Sequence, residues 1–168
     1  MGDLSRAPWP ETSFDAITLY HVLEHVHAPS TYLGRIARLL APDGVVLIAV
    51  PNFRSWERRL FRERWTWLDV PIHLHHFEPE RLRTLVEAVG LRVSDVRLTT
   101  AGHSAEDSVK QTWLGPVYRL LNQVKLAKPG VSVFQILADA CHAGSGITVI
   151  ARRQGESFAS RQDRTRAW

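Results

Sequence analysis

The chain has 168 residues, 45% of them apolar and 23% charged, a balance that fits one globular core and excludes a collagen-like or low-complexity chain. A single cysteine, Cys141, excludes an intrachain disulfide, and neither a signal-peptide pattern nor a bilayer-length apolar run is present, which predicts a soluble, cytoplasmic protein. The formal charge of +4 is local, carried by the stretch from Arg54 to Arg64 and by the tail from Arg152 onward, so charge alone names no partner.

In chain order, the first element is "SFDAITLYHVL", whose Phe14, Ile17, Leu19 and Val22 follow the turn-forming "APWPETS" and predict a strand ending near Tyr20 or His21. A helix opens at Pro29 and Ser30, repeats apolar residues at Tyr32, Leu33, Ile36, Leu39 and Leu40, and is expected to stop at "APDG". "VVLIAV", Val45 to Val50, predicts a strand covered by helices on both faces. Strand, helix and strand together make a βαβ unit.

The periodicity resumes at Pro79 to Val89 as a second helix, with Gly90 suited to its stop. "LRVSDVRLT" and "GITVIARR" alternate as strands should, giving four strands in all. Between the last two lies a long insert, about 103–145, where Trp113, Val117, Leu120, Leu121 and Val124 predict an amphipathic helix and "SVFQILADA" a second. The arginine-rich tail, 154–168, has no periodicity and is expected to be disordered.

The stretch "GDLSRAPWPETSFDAITLYHVLEHVHAPSTYLGRIARLLAPDGVVLIAVPN" resembles the second half of class I S-adenosylmethionine-dependent methyltransferases, in particular the group of the ubiquinone-biosynthesis O-methyltransferases. The resemblance continues through "RWTWLDVPIHLHHFEPERLRTLVEAVGL", covers about Gly2 to Thr99, and resumes weakly at Gly146 to Arg153. It implies an α/β fold: a partial Rossmann-like methyltransferase sheet of about four strands, mostly parallel with the last antiparallel, plus a helical insert within residues 1–153. The family's glycine-rich loop has no counterpart in this sequence, as if the chain began after it. A strand at 14–20 that is apolar on both faces would then lie at a free edge, and would find a second copy or another chain to complete the sheet.

The same resemblance implies S-adenosylmethionine as cofactor. Asp3, with Leu4, falls where the family's third strand meets the adenine amino group, while Tyr20 and His21 fall where the chain passes beneath the sulfonium. On the acceptor side, His25 or His76 would serve as general base for methylation of a small-molecule hydroxyl.

"HVLEH" also places His21, Glu24 and His25 on one face if a helical turn begins at His21. With His73, His75 and His76 from "HLHHF" they could form a nitrogen-rich metal cluster. The plainer reading, in which His25 and a later histidine hydrogen-bond each other or the backbone to shape a pocket wall, takes precedence, and no metal ligand is assigned.

"NFRSWERRLFRERWTW" mixes arginines with Trp56, Phe61, Trp65 and Trp67, superficially as nucleic-acid binders do. An amphipathic lid helix, with Trp56, Leu60 and Phe61 docked on the core, explains it better and gives no firm nucleic-acid signal. Such a lid would suit an anionic or lipid-like acceptor. The competing class is non-enzymatic: an inactive methyltransferase-like piece that acts as an interaction or sheet-completing partner.

Overall fold

The computed structural model describes residue 4 and residues 7–99, 104–112, 114–123 and 143–153. The helix expected at "SVFQILADA", the residues Asp3, Trp113 and Val124, and the tail 154–168 lie outside the described residues.

Strand β1, Phe14–Tyr20, leads into helix α1, Pro29–Leu39, and strand β2, Leu40–Pro51. Proline opens α1, where its missing N–H costs nothing, and Leu33, Ile36 and Leu39 recur at helical spacing and are fully buried. The expected stop at "APDG" falls inside the span of β2. Residues 41–44 bulge between the pairs Phe14↔Leu40 and Ala16↔Val45, so the strand resumes its ladder at Val45, where the β-branched run begins. Helices α2, Trp56–Phe61, and α3, Pro79–Ala88, precede strand β3, Leu91–Thr99. Gly90 takes φ 81° at the end of α3, a left-handed conformation that glycine adopts without a Cβ penalty. Helices α4, Ser104–Lys110, and α5, Gly115–Gln123, belong to the insert, and strand β4, Gly146–Arg153, closes the fold.

The sheet order is β1-β2-β4-β3. β1 and β2 pair in parallel, and β4 is antiparallel to both β2 and β3. Three strands therefore run one way and the last runs against them, as expected for a Rossmann-like methyltransferase sheet.

Alternation along the strands puts Ile17 and Leu19 beside Val46 and Ile48, and these beside Ala151 and Val149. That face meets Leu33 and Ile36 of α1 and Leu82 and Val86 of α3 in one apolar cluster. The opposite face departs from the expectation of helices on both sides. There Ala16, Thr18 and Tyr20 are exposed and Val45 and Leu47 only partly covered, because α1 and α3 both pack on the first face. Among the described residues β1 pairs with β2 alone, which leaves its other edge open.

The lid helix also differs from expectation. α2 exposes Trp56 by 50% and Leu60 by 60%, while Glu57 is buried. Its six residues are anchored at the start instead: Ser55 caps it by accepting from the Arg58 N–H, and the Trp56 N–H donates to Ala143. The buried aromatic position is taken by Trp65, 2% exposed, just beyond the helix. Leu60 and Phe61 turn toward Val109 and Leu114 of the insert across an open cavity of about 630 Å³. No described helix is long and apolar enough to cross a membrane.

Candidate functional site

β1 stops where His21 adopts φ 50°, a left-handed backbone held by the His21 N–H donating to Ala49. The chain then makes one tight 3₁₀ turn, Leu23–His25. Leu23 anchors that turn in the core, and the turn carries Glu24 fully inside with it. His25, next in line, faces solvent.

The second wall is the segment from Asp69 to Phe77. Asp69 accepts from the N–H groups of both Ile72 and His73, folding the chain back on itself after a cis Val70–Pro71 bond. The carbonyl of Glu24 then accepts from Leu74 at 2.8 Å and His75 at 3.1 Å, which fastens "HLHHF" to "LEH". Phe77, 7% exposed, ends the segment in the core, and its carbonyl accepts from Phe53.

Within this frame the side chains meet closely. His21 donates from Nδ1 to Glu24 Oε1 at 3.0 Å, and its ring stacks on Trp67. His25 donates from Nδ1 to the Ile72 carbonyl at 3.1 Å, and His73 from Nδ1 to the Trp67 carbonyl at 2.8 Å. The His25 and His73 rings stand edge to face, 4.8 Å between centroids. A carbonyl oxygen can only accept, so each Nδ1 carries a proton and, in the neutral ring, each Nε2 keeps its lone pair.

The histidines expected from sequence therefore separate into two groups. His73 joins His21, Glu24 and His25. His76 instead donates from Nε2 to Leu68 at 2.9 Å and packs against Phe53, and His75 lies beside Phe77. His21 stands outside the turn, so its meeting with Glu24 comes from the strand end rather than from a shared helical face. His25, His73 and His76 each hydrogen-bond a backbone carbonyl. Tyr20 is 67% exposed at the carboxyl end of β1, and Leu4 packs at the margin of the apolar cluster.

Asn52 was not singled out as a site residue, though "VPN" ends β2 beside the site. It is 1% exposed; its Nδ2 donates to Gly144, its Oδ1 accepts from Arg54, and its N–H donates to Ser145. Gly144 has to be glycine, since a Cβ there would lie 2.5 Å from the Thr99 backbone. A polar residue directly after a buried apolar strand was the available signal.

A family model described as a methyltransferase domain matches residues 3–96. A Mycolicibacterium smegmatis protein named "Probable S-adenosylmethionine-dependent methyltransferase" is 30% identical over 94 residues, covering 56% of this chain and 35% of that protein. The ubiquinone biosynthesis O-methyltransferase of Rhodopseudomonas palustris is 27% identical over 92 residues, 51% of this chain and 36% of the enzyme. The chain thus spans about a third of the length of these relatives. Among solved structures, a Methanosarcina mazei S-adenosylmethionine-dependent methyltransferase superposes with a TM-score of 0.56 at 16% identity, over 92% of this chain and 66% of that one. With the family match covering more than half of its length, this chain belongs to the class I S-adenosylmethionine-dependent methyltransferases.

Proposed function

We propose that the chain supplies the acceptor side of methyl transfer from S-adenosylmethionine to a hydroxyl of a small molecule. The observation that carries this reading is the exposed imidazole of His25, held by Ile72 at Nδ1 so that Nε2 keeps its lone pair, one turn beyond the carboxyl end of β1.

Open α/β sheets bind ligands at the carboxyl ends of their strands. There the exposed ring of Tyr20 and the left-handed main chain at His21 fit one flank of the cofactor, an aromatic surface and a backbone turned away from the sheet. Leu4 would complete that flank, and the family resemblance assigns Asp3 to the adenine amino group. When bound, the cofactor supplies a methyl group on a positively charged sulfur.

His25 Nε2 would take the hydroxyl proton while the acceptor oxygen forms its bond to the methyl carbon and the carbon–sulfur bond breaks. Alignment of the two reactants contributes most of the remaining acceleration. His76, with its Nε2 on Leu68 and its ring on Phe53, fits a positioning role for the lid segment better than proton transfer. The cavity edged by Leu60, Phe61, Arg62, Glu63 and Arg64 suits an acceptor with an apolar body, and its two arginines against one glutamate favour an anionic group on it.

Isothermal titration with S-adenosylhomocysteine, beside a size measurement on the same sample, tests the reading. Saturable binding at micromolar strength is expected. A folded chain that takes up none would sink it for this polypeptide alone. Among the described residues β1 pairs with β2 alone, which favours a second reading, sheet completion by a second copy, and a dimer without cofactor binding would select it.

A further inference from the structure

We propose that the cleft between α2, the start of α3 and the end of β3 binds an oxyanion group, phosphoryl or carboxylate, carried on one planar ring. Arg54, Trp56 and Arg59 line it from one segment and Pro79, Glu80 and Leu98 from two others, around a space of about 280 Å³.

Its place in the fold sets it apart from the proposed proton acceptor. β1, β2 and β3 run the same way, so Asn52 after β2 and Leu98 near the close of β3 bring the cleft to the carboxyl ends of strands, where open α/β sheets take ligands. The turn from His21 to His25 follows β1 at the other edge of the sheet, and none of its residues lines the cleft.

Charge selects an anion. Two guanidiniums stand there against one carboxylate. Glu80 accepts from Arg54 Nη1 at 2.9 Å, and its own backbone also holds the carboxylate in its charged form, so that charge is already committed. A guanidinium has five N–H donors; Arg54 keeps donors beyond the bond to Glu80, and the Arg59 side chain has no partner among the described residues. The cleft is left with one positive charge in excess and with planar donor forks that match the paired oxygens of an oxyanion.

The main chain that carries these groups is fixed in advance. The Arg54 N–H donates to Asn52 Oδ1 at 3.0 Å, the Trp56 N–H to Ala143 at 3.1 Å and the Arg59 N–H to Ser55 at 3.2 Å. Little backbone ordering is therefore charged against binding. Size and lining set the rest of the ligand. At about 30 Å³ per water the space holds about nine waters, more than a bare oxyanion fills and less than a long chain needs. Trp56, 50% exposed, with Pro79 and Leu98, supplies an apolar surface for one ring. Glu80, 69% exposed, is the internal competitor, able to turn to water when the ligand takes Arg54.

The test needs neither cofactor nor methyl acceptor, so its outcome is separate from that of the cofactor titration. The full chain is titrated calorimetrically with phenyl phosphate, benzoate, inorganic phosphate and, as the uncharged control, phenol. Phenyl phosphate or benzoate should bind saturably at one per chain, and the tighter of the two identifies the oxyanion. Inorganic phosphate should bind at least about 10-fold more weakly and phenol not at all. Arg59→Ala, at an exposed position that folding does not depend on, should weaken binding on the order of 10–100-fold. Glu80→Gln, which removes the competing charge, should tighten it by roughly 2–5-fold. Arg92→Ala, at an exposed arginine at the opposite end of β3, should leave it unchanged. Folded wild type without saturable one-to-one binding, inorganic phosphate that binds as well as the ring compounds, or Arg59→Ala that binds as tightly as wild type overturns the site.

Discussion

The ring of His21 lies flat on that of Trp67, centroids 4.6 Å apart and planes 8° from parallel, while its Nδ1 holds Glu24 Oε1. The end of the first strand is thereby tied to the lid segment more than forty residues on. This explains how a non-glycine residue can keep a positive φ there: the side chain is fixed at both its face and its edge.

Trp67→Ala removes that support. Aromatic pairs contribute about 0.5–1.5 kcal/mol beyond the area they bury, so a loss of about 1–3 kcal/mol is expected once the partly buried ring is also gone. Urea unfolding checks it. A variant as stable as wild type would mean that His21 is held by the backbone alone.

The Asn52 side chain ties the end of β2 to Gly144, just before β4, and holds the turn at Arg54, so its replacement leaves the Gly144 carbonyl and the Arg54 N–H without partners together. Each orphaned buried group costs about 1–3 kcal/mol. Asn52→Ala should therefore lose about 2–4 kcal/mol, and Asn52→Asp, which sets a buried carboxylate against the Gly144 carbonyl oxygen, at least as much. Urea unfolding checks both, and an Asn52→Ala variant as stable as wild type would show that the two side-chain contacts contribute nothing.

What could be read from sequence followed periodicity. β3 and β4 begin and end where "LRVSDVRLT" and "GITVIARR" do, because alternation is preserved when only one face is buried. α1 and α3 were equally legible from proline starts and apolar spacing. The bulge at 41–44 was not, since it arises from how far β1 extends beside β2, a long-range fact absent from local pattern. At the site, "HVLEH" and "HLHHF" were visible as words. That His73 rather than His75 or His76 reaches Glu24 depended on a fold at Asp69 and on two bonds to the Glu24 carbonyl, neither of which has a residue-type signal.

The lid segment shows the same limit, because helical spacing in "WERRLF" named the wrong buried side. Trp65→Ala should cost about 3–5 kcal/mol, as large aromatic truncations in a core do, while Leu60→Ser should stay within about 0.5 kcal/mol. Thermal unfolding of the two variants decides it, and a Leu60→Ser loss comparable to that of Trp65→Ala would restore the amphipathic reading of α2.

Arg54 reaches across to α3, its guanidinium 2.9 Å from Glu80 Oε1, and so fastens the loop after Asn52 to the first turn of that helix. Hydrogen bonding to Glu80's own backbone, and secondarily Arg54, hold the Glu80 carboxyl below the usual carboxylate range. A carboxylate whose folded value is depressed contributes stability that is present above its unfolded value and is lost as pH falls toward the folded one. Glu80→Gln should therefore melt slightly below wild type near about pH 7, with the gap closing on descent to about pH 3. Both partners are more than half exposed, so water and salt screen the pair and the gap should also shrink in about 1 M salt. Melting curves at the two pH values check this; a gap that widens in acid would mean that Glu80 is strained in the folded chain rather than held by its neighbours.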